Sequence, residues 1–506
     1  MRYRACYVLS MQEPPLRIRA PHARLRPAAT DFAKLGVSRC LALSFALAAI
    51  AGATATAQDP ATKGSTESSK PWRLDDALDT AAWLKLSGSV RVRYEGIEGQ
   101  FRARNIGGAR LVRNSDHLMV SRSLLKAEAD FDDVGASVEL IDARHYGAGV
   151  GSFLNTTIIN PIDVLQGFGE LRFDDGQEGT LHVRAGRETI DIGSRRLVAR
   201  NRFRNTINAF DAIDVEWKPK AAAGGKGMRS LRAFWSLPVR RKPTDFAGLL
   251  DNDVEMDNET SHSQFFGAFF DTELGNATFE AYALGLLEFG SSTARRRYYT
   301  PGFRVFSKRA KNEVDFEVES ALQFGDRFQG GREVDHFAQF VHMAIGYTFD
   351  AAWQPRVQFA YDFASGDSNP SDNKSGRFDT LFGARRWEYG PTGIFGAIAR
   401  SNLSSPELRL EVKPDARCDA MFAWRGIWLA QGRDQWTTAR LTDSTGLTSN
   451  FVGHQIEGRV RYNLVPKSLL FDVGAAHVFA GDFMNDVAQS RGEDSTYVYA
   501  QLNFTF

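Results

Sequence analysis

The sequence predicts an all-β fold, a transmembrane antiparallel β-barrel of about 18 strands. Three observations predict it. Segments alternating apolar with charged residues recur along the chain, an export signal stands near the N-terminus, and a final strand ends on phenylalanine.

The alternation carries most weight. In Leu84 to Glu95, Leu84, Leu86, Val90, Val92 and Tyr94 share one face, and Lys85, Ser87, Ser89, Arg91, Arg93 and Glu95 share the other. Successive side chains of a strand point to opposite sides, so one side of this segment is apolar and the other charged. The pattern returns in 312–324, 356–363, 407–413 and 455–464. It is weaker in 167–174, 180–187, 209–217, 230–237, 275–285 and 338–349. About seventeen segments of roughly ten residues can be counted, the length of a tilted membrane strand. Single-chain bacterial barrels have even strand numbers, so one strand escapes the count, in 297–306 or 380–390.

The charged face needs water. In a dry core it would be prohibitive without partners, and each Arg or Lys at the lipid midplane would cost about 2–4 kcal/mol. The charged parity therefore faces a lumen. A soluble sandwich also alternates, but it has no reason to place Trp83, Tyr94, Trp217, Trp235, Tyr347, Trp353 and Trp424 near strand ends. Interfacial girdles do. A mean hydropathy of −0.32 excludes a bundle of membrane helices in a chain of 506 residues.

The export signal comprises Arg39, the apolar run Cys40 to Ala51, and the cleavage-like Ala55-Thr56-Ala57. We therefore read 1–57 as a signal peptide, 58–82 as a flexible periplasmic lead-in and 83–506 as the barrel. The basic stretch before the apolar run is long for such a signal, which places the true start downstream of Met1. Cleavage leaves 62 − 8 basic against 61 − 2 acidic residues, a net charge of −5. Cys6 and Cys40 leave with the signal, so Cys418 alone remains and no intrachain disulfide can form.

The last strand, Thr496 to Phe506, puts Val498, Ala500, Leu502, Phe504 and Phe506 on one face. A terminal strand ending in Phe resembles the signal read by the barrel assembly machinery. Asp132-Asp133 and Asp174-Asp175-Gly176 are tight turns, whereas 96–117, 238–261, 366–403 and 430–452 are long connections. Short periplasmic turns and long outer loops are expected, some of the loops folding into the lumen.

No catalytic chemistry is legible. G-x-S-x-G, H-E-x-x-H and the P-loop are absent and the histidines stand singly, so neither catalytic residues nor a metal or cofactor are expected. The formal net charge of +1 argues for no particular partner, and no nucleic-acid partner is expected. What the lumen parity offers is arginine: Arg91, Arg93, Arg172, Arg184, Arg232, Arg356, Arg409, Arg459 and Arg461. Glu95, Glu170, Asp315, Glu317, Glu319, Asp362 and Glu457 share that parity. Two readings fit: ladders of paired charge that stiffen the wall, or unpaired guanidiniums forming a rail for anions. The densest cluster, Arg184 to Asp214, contains Arg187, Arg195, Arg196, Arg200, Arg202 and Arg204. It is read as a positive constriction, a solvated hairpin tip or a loop touching lipopolysaccharide.

At this cluster the sequence resembles the alginate export family of outer-membrane proteins. The carrying residues are Gly186-Arg187-Glu188, Asp191-Ile192-Gly193, Arg196-Leu197-Val198, Phe203-Arg204-Asn205-Thr206 and Phe210-Asp211. A second stretch runs from Phe378-Asp379-Thr380-Leu381-Phe382-Gly383 through Asn402 and Pro406. The resemblance implies an eighteen-stranded monomeric barrel in the Gram-negative outer membrane. It also implies an arginine-lined constriction passing an anionic polysaccharide, gated by long loops. Arg187, Arg196 and Arg204 are then the constriction candidates, with Asp191 and Asp211 as anchoring acids. Parity adds Arg91, Arg93, Arg459 and Arg461. Asp315, Glu317 and Glu319 depart from this picture, since three carboxylates in a row repel a polyanion unless arginines neutralise them. The expected function is a channel for an alginate-like polysaccharide or related polar solute. The alternatives are a general small-solute porin with structural arginines and an outer-membrane hydrolase. Outer-membrane lipid and lipopolysaccharide are the expected surroundings.

Overall fold

The computed structural model describes residues 71–106, 110–174, 176, 178–220, 227–290, 295–329 and 331–506. The expected signal peptide, 1–57, and most of the lead-in lie outside the described residues. The end of the lead-in forms a short helix, Leu74–Leu78, and Trp72 stacks on Phe504 at 5.8 Å.

The wall is built of eighteen long strands. The first six are β1 (Leu84–Glu98), β2 (Asp116–Phe131), β3 (Val134–Tyr146), β4 (Asn160–Asp174), β5 (Gly179–Glu188) and β6 (Phe210–Pro219). Next come β7 (Gly227–Pro238), β8 (Ser263–Leu274), β9 (Ala277–Glu288), β10 (Arg296–Ser307), β11 (Val314–Gln329) and β12 (Arg332–Thr348). The rest are β13 (Arg356–Ala364), β14 (Leu403–Val412), β15 (Cys418–Trp428), β16 (Phe451–Val465), β17 (Leu469–Ala480) and β18 (Ser495–Thr505). Each is antiparallel to its neighbours, and β1 pairs with both β2 and β18, which closes the barrel. Closure removes the edge strands that would otherwise expose unpaired backbone groups to lipid. The strand that escaped the count is β10, whereas 380–390 lies outside the wall in a long connection. No helix among the described residues is long and apolar enough to cross a membrane.

Burial is inverted relative to a soluble protein. On β1, Val90, Val92 and Tyr94 are exposed while Arg91, Arg93 and Glu95 are buried. On β11, Phe316, Leu322 and Phe324 are exposed while Asp315, Glu319 and Gln323 are buried. Exposed aromatic and aliphatic side chains around a polar interior suit a lipid exterior, where apolar groups carry no hydration cost. Short turns and the C-terminus share one end. There Asp132 sits at φ 53, a left-handed conformation that aspartate tolerates, between β2 and β3. Gly88 lets the chain end fit: its N–H donates to the Phe506 carbonyl at 2.8 Å, and a Cβ there would lie 2.7 Å from the Phe506 ring.

The long connections gather at the other end. Besides those foreseen, 147–159, 189–209 and 481–494 are long. The inner face is divided accordingly. Towards the loop end it is apolar, with Phe210, Phe234, Phe265, Leu284, Leu286, Phe340 and Tyr497 buried. Towards the turn end it carries charge, as Asp214, Asp271, Glu280 and Asp472 show on the same strands or their neighbours. The apolar part is covered by the connections 189–209 and 365–402, which contribute Ile190, Ile192, Leu197, Val198, Phe378, Ile394, Phe395 and Ile398 to one core.

Candidate functional site

The two inner connections are joined backbone to backbone. Val198 bridges Phe382 in parallel, the Phe382 N–H donates to the Leu197 carbonyl at 2.9 Å, and the Ala384 N–H donates to the Arg195 carbonyl at 2.9 Å. Gly383 permits the approach, since a Cβ there would stand 1.7 Å from the Arg196 carbonyl oxygen. Gly383→Val is expected to separate the connections at a cost of about 1–3 kcal/mol. The check is the temperature at which the compact, SDS-resistant band converts to the unfolded one, which should fall.

The tip of 189–209 is held against the wall by guanidiniums. Arg91 donates to the carbonyls of Arg202 (3.0 Å), Phe203 (3.1 Å) and Arg204 (2.8 Å) and to the Asn205 side chain (3.1 Å). Arg122, on the neighbouring strand β2, donates to the carbonyls of Arg202 and Arg204, each at 3.0 Å. Arg93 adds a bond to the Phe203 carbonyl at 2.7 Å, and Glu95 balances its charge at 2.6 Å. Arg91 and Arg93 were expected along the solute path. They are buried, and they position the inner connection through its carbonyls.

Arg196 is buried in a carboxylate cage. It meets Glu319 at 2.5 Å, Glu388 at 2.8 Å and Glu317. It therefore ties the inner connection to β11. The three carboxylates of β11 are neutralised by arginines: Asp315 by Arg356 at 2.5 Å, Glu317 by Arg304 at 2.8 Å, and Glu319 by Arg196. The repulsion anticipated from that row is thereby cancelled, by two arginines of the wall and one of the inner connection.

Arg187 and Asp211 pair at 2.7 Å, with Glu259 at 3.2 Å. They are cross-strand partners one residue from the loop ends of β5 and β6. Arg187 lies on the parity of Leu181 and Val183, opposite Arg184, and Asp211 lies on the parity of the exposed Ile213. This pair belongs to the rim of the outer wall, not the lumen. Asp191 accepts from the Arg200 N–H at 2.7 Å and stands 3.9 Å from Arg202, so it caps the inner connection.

Arg204, Arg459 and Arg461 are less neutralised. Arg459 and Arg461 share one carboxylate, Asp419, at 3.4 and 2.9 Å. Arg204 makes no salt bridge among the described residues, and the charges of Arg385 and Arg241 bear on it. Arg385 donates to the Ile398 carbonyl at 2.9 Å, and Arg241 to the Thr156 carbonyl at 2.7 Å. One further cation of the cluster stands open, since the Arg202 side chain is 68% exposed, whereas the half-buried Arg195 lies over the Trp387 ring at 4.2 Å. Sequence reasoning placed Arg195 and Arg202 in the cluster without singling them out, and it missed Arg122, Arg385, Glu388 and Arg400. Parity is a partial signal for Arg122, which shares a face with Lys126, Glu128 and Asp130 but also with Leu118, Val120 and Leu124. Nothing local marks the other three.

The sequence profile described as alginate export matches residues 82–498. No curated protein matches the chain in sequence. The crystal structure of OccAB3 from Acinetobacter baumannii is similar at a TM-score of 0.53 and 11% identity, over 84% of this chain and 100% of that one. OccK8 (OprE) from Pseudomonas aeruginosa gives 0.51 and 10%, over 84% and 98%. The outer membrane protein opdK from Pseudomonas aeruginosa gives 0.52 and 10%, over 83% and 98%. At such identities the likeness is one of fold, the closed outer-membrane barrel. With the strands, the inverted wall and the family match together, the protein is an outer-membrane β-barrel channel for solutes and belongs to the alginate export family.

Proposed function

We propose that the channel passes anionic solutes of the acidic-saccharide class along guanidiniums borne by its inner connections. The observation that supports this best is a set of weakly neutralised cations. Arg202 is 68% exposed on the inner tip with only the distant Asp191 at 3.9 Å, and Arg204 stands beside Arg385 and Arg241, these three making no salt bridge among the described residues. Guanidinium is weakly hydrated and binds carboxylate in a planar fork, so a series of such groups lets an acidic solute exchange one partner for the next. Binding at each must stay weak enough for release, and the surrounding positive charges share the solute among several sites. Arg459 and Arg461 continue the positive field on the inner parity of β16.

The test is the reversal potential of the purified protein in a planar bilayer under a salt gradient, followed by oligouronate. Anion preference with reversible block is expected. Arg202→Glu is expected to move the reversal potential towards cation preference and to weaken the block. A weakly selective or cation-preferring pore that ignores oligouronate would sink the proposal. The second reading, a general small-solute porin, draws on the wall itself. There Arg184 with Asp214, Arg232 with Asp214 and Arg356 with Asp315 are paired at 2.7, 2.7 and 2.5 Å. It predicts the opposite result in the same experiment.

A further inference from the structure

A second basic group stands apart from these guanidiniums, at the loop ends of β9, β10 and β11. Arg240, Arg296 and Arg327 line a cavity of about 380 Å3 there, with Glu288, Asp379, His262 and Phe289. None of the inner-tip arginines lines it. Its volume falls in the range that encloses a small organic molecule.

The charges do not cancel. Arg296 is fully engaged, meeting Glu288 at 2.6 Å and Asp379 at 3.0 Å. Arg240 and Arg327 make no salt bridge among the described residues. Three guanidiniums against two carboxylates leave the cavity one positive charge in excess. One donor of the lining, the Arg327 Nε, is buried without an acceptor. A buried donor without an acceptor costs free energy, which an oxyanion placed against it would recover.

The rest of the lining narrows the ligand. Glu288 and Asp379 keep lone pairs beyond those that hold Arg296, and these accept from hydroxyls. Phe289 is 42% exposed and offers a ring face to carbon-bound hydrogens. We infer that this cavity binds a small hydroxylated carboxylate of about monosaccharide size, its carboxylate between Arg240 and Arg327 and its hydroxyls towards Glu288 and Asp379. The cavity lies at the loop end, which faces outwards in bacterial barrels, where Asp379 of the connection 365–402 meets the wall.

Calorimetric titration of D-gluconate into the detergent-purified protein tests this without any membrane current, so its outcome is separate from that of the selectivity experiment. Saturable binding of gluconate is expected, with no heat from D-glucose. Arg327→Gln and Arg240→Gln are each expected to weaken gluconate at least about tenfold, as loss of a charge-assisted hydrogen bond does. Arg202→Gln should leave the affinity unchanged. Arg240 is exposed, so R240Q keeps the test available if R327Q does not fold. Absence of saturable gluconate binding, equal binding of glucose, or wild-type affinity in R240Q would overturn the assignment.

Discussion

Replacing both Arg91 and Arg122 by alanine is expected to raise single-channel conductance severalfold and to make the current noisy. The two side chains hold the carbonyls of Arg202 and Arg204 from adjacent strands, at 2.8 to 3.0 Å. Hydrogen bonds from charged donors are worth about 1.5–3 kcal/mol each, and no carboxylate competes for these two guanidiniums among the described residues. Without them the tip of 189–209 keeps the Arg93 bond to Phe203, the packing of Phe203 on Tyr499, the Arg200–Glu139 pair and the Asn205 contacts with the wall, but loses its two-strand clamp on the carbonyls. The tip would then sample positions away from the wall, and the lumen would widen intermittently. The direction of the change is diagnostic. Simple loss of two positive charges lowers the conductance of an anion channel, whereas release of the tip raises it. A lower, quiet conductance in planar bilayers would show that the clamp does not set the aperture.

Replacing Glu388 by glutamine is expected to cost about 3–5 kcal/mol, the penalty for breaking a buried ion pair from one side. Glu388 lies in the short helix Arg386–Tyr389 and takes Arg196 on one oxygen, at 2.8 Å, and Arg400 on the other. Arg196 would keep Glu317 and Glu319. Arg400, fully buried, would be left with the carbonyls of Ala384 and Arg196 at 2.6 and 3.1 Å and no carboxylate among the described residues. The inner core should therefore loosen before the wall does. Limited trypsin digestion should cut after Arg195 or Arg196 in E388Q under conditions that spare the wild type, with the SDS-resistant band retained. Equal protection in both proteins would mean that the apolar core alone holds the connections.

The wall was legible because its signal is local. A period of two in Val90-Arg91-Val92-Arg93 states which residues meet lipid, whatever strand lies beside them. β10 escaped because Pro301 and Gly302 interrupt its alternation and Tyr298 and Tyr299 are aromatic on both faces. The family resemblance located the inner connections but misassigned the direction of single side chains. Arg187 and Asp211 lie on the outer parity, one residue from loops that the motif spans without a break. Arg91 was placed correctly on the inner face and read as a lumen cation. That its fork would be filled by the carbonyls of residues more than a hundred positions away has no trace in the sequence around either partner.

What the sequence by itself determined is the inverted wall, its closure into an even number of strands, and the basic character of the segment between β5 and β6. Those follow from side-chain parity, strand length and composition, which depend on no distant contact. Only the tertiary structure decided which arginines are spent and which remain available. Arg196 carries its charge into the carboxylates of β11 and Glu388, Arg91 and Arg122 give theirs to backbone carbonyls, and Arg202 is left exposed, 3.9 Å from Asp191. The physical reason is that a guanidinium's role depends on what fills its fork, and the connections that fill it fold back across the barrel from far along the chain.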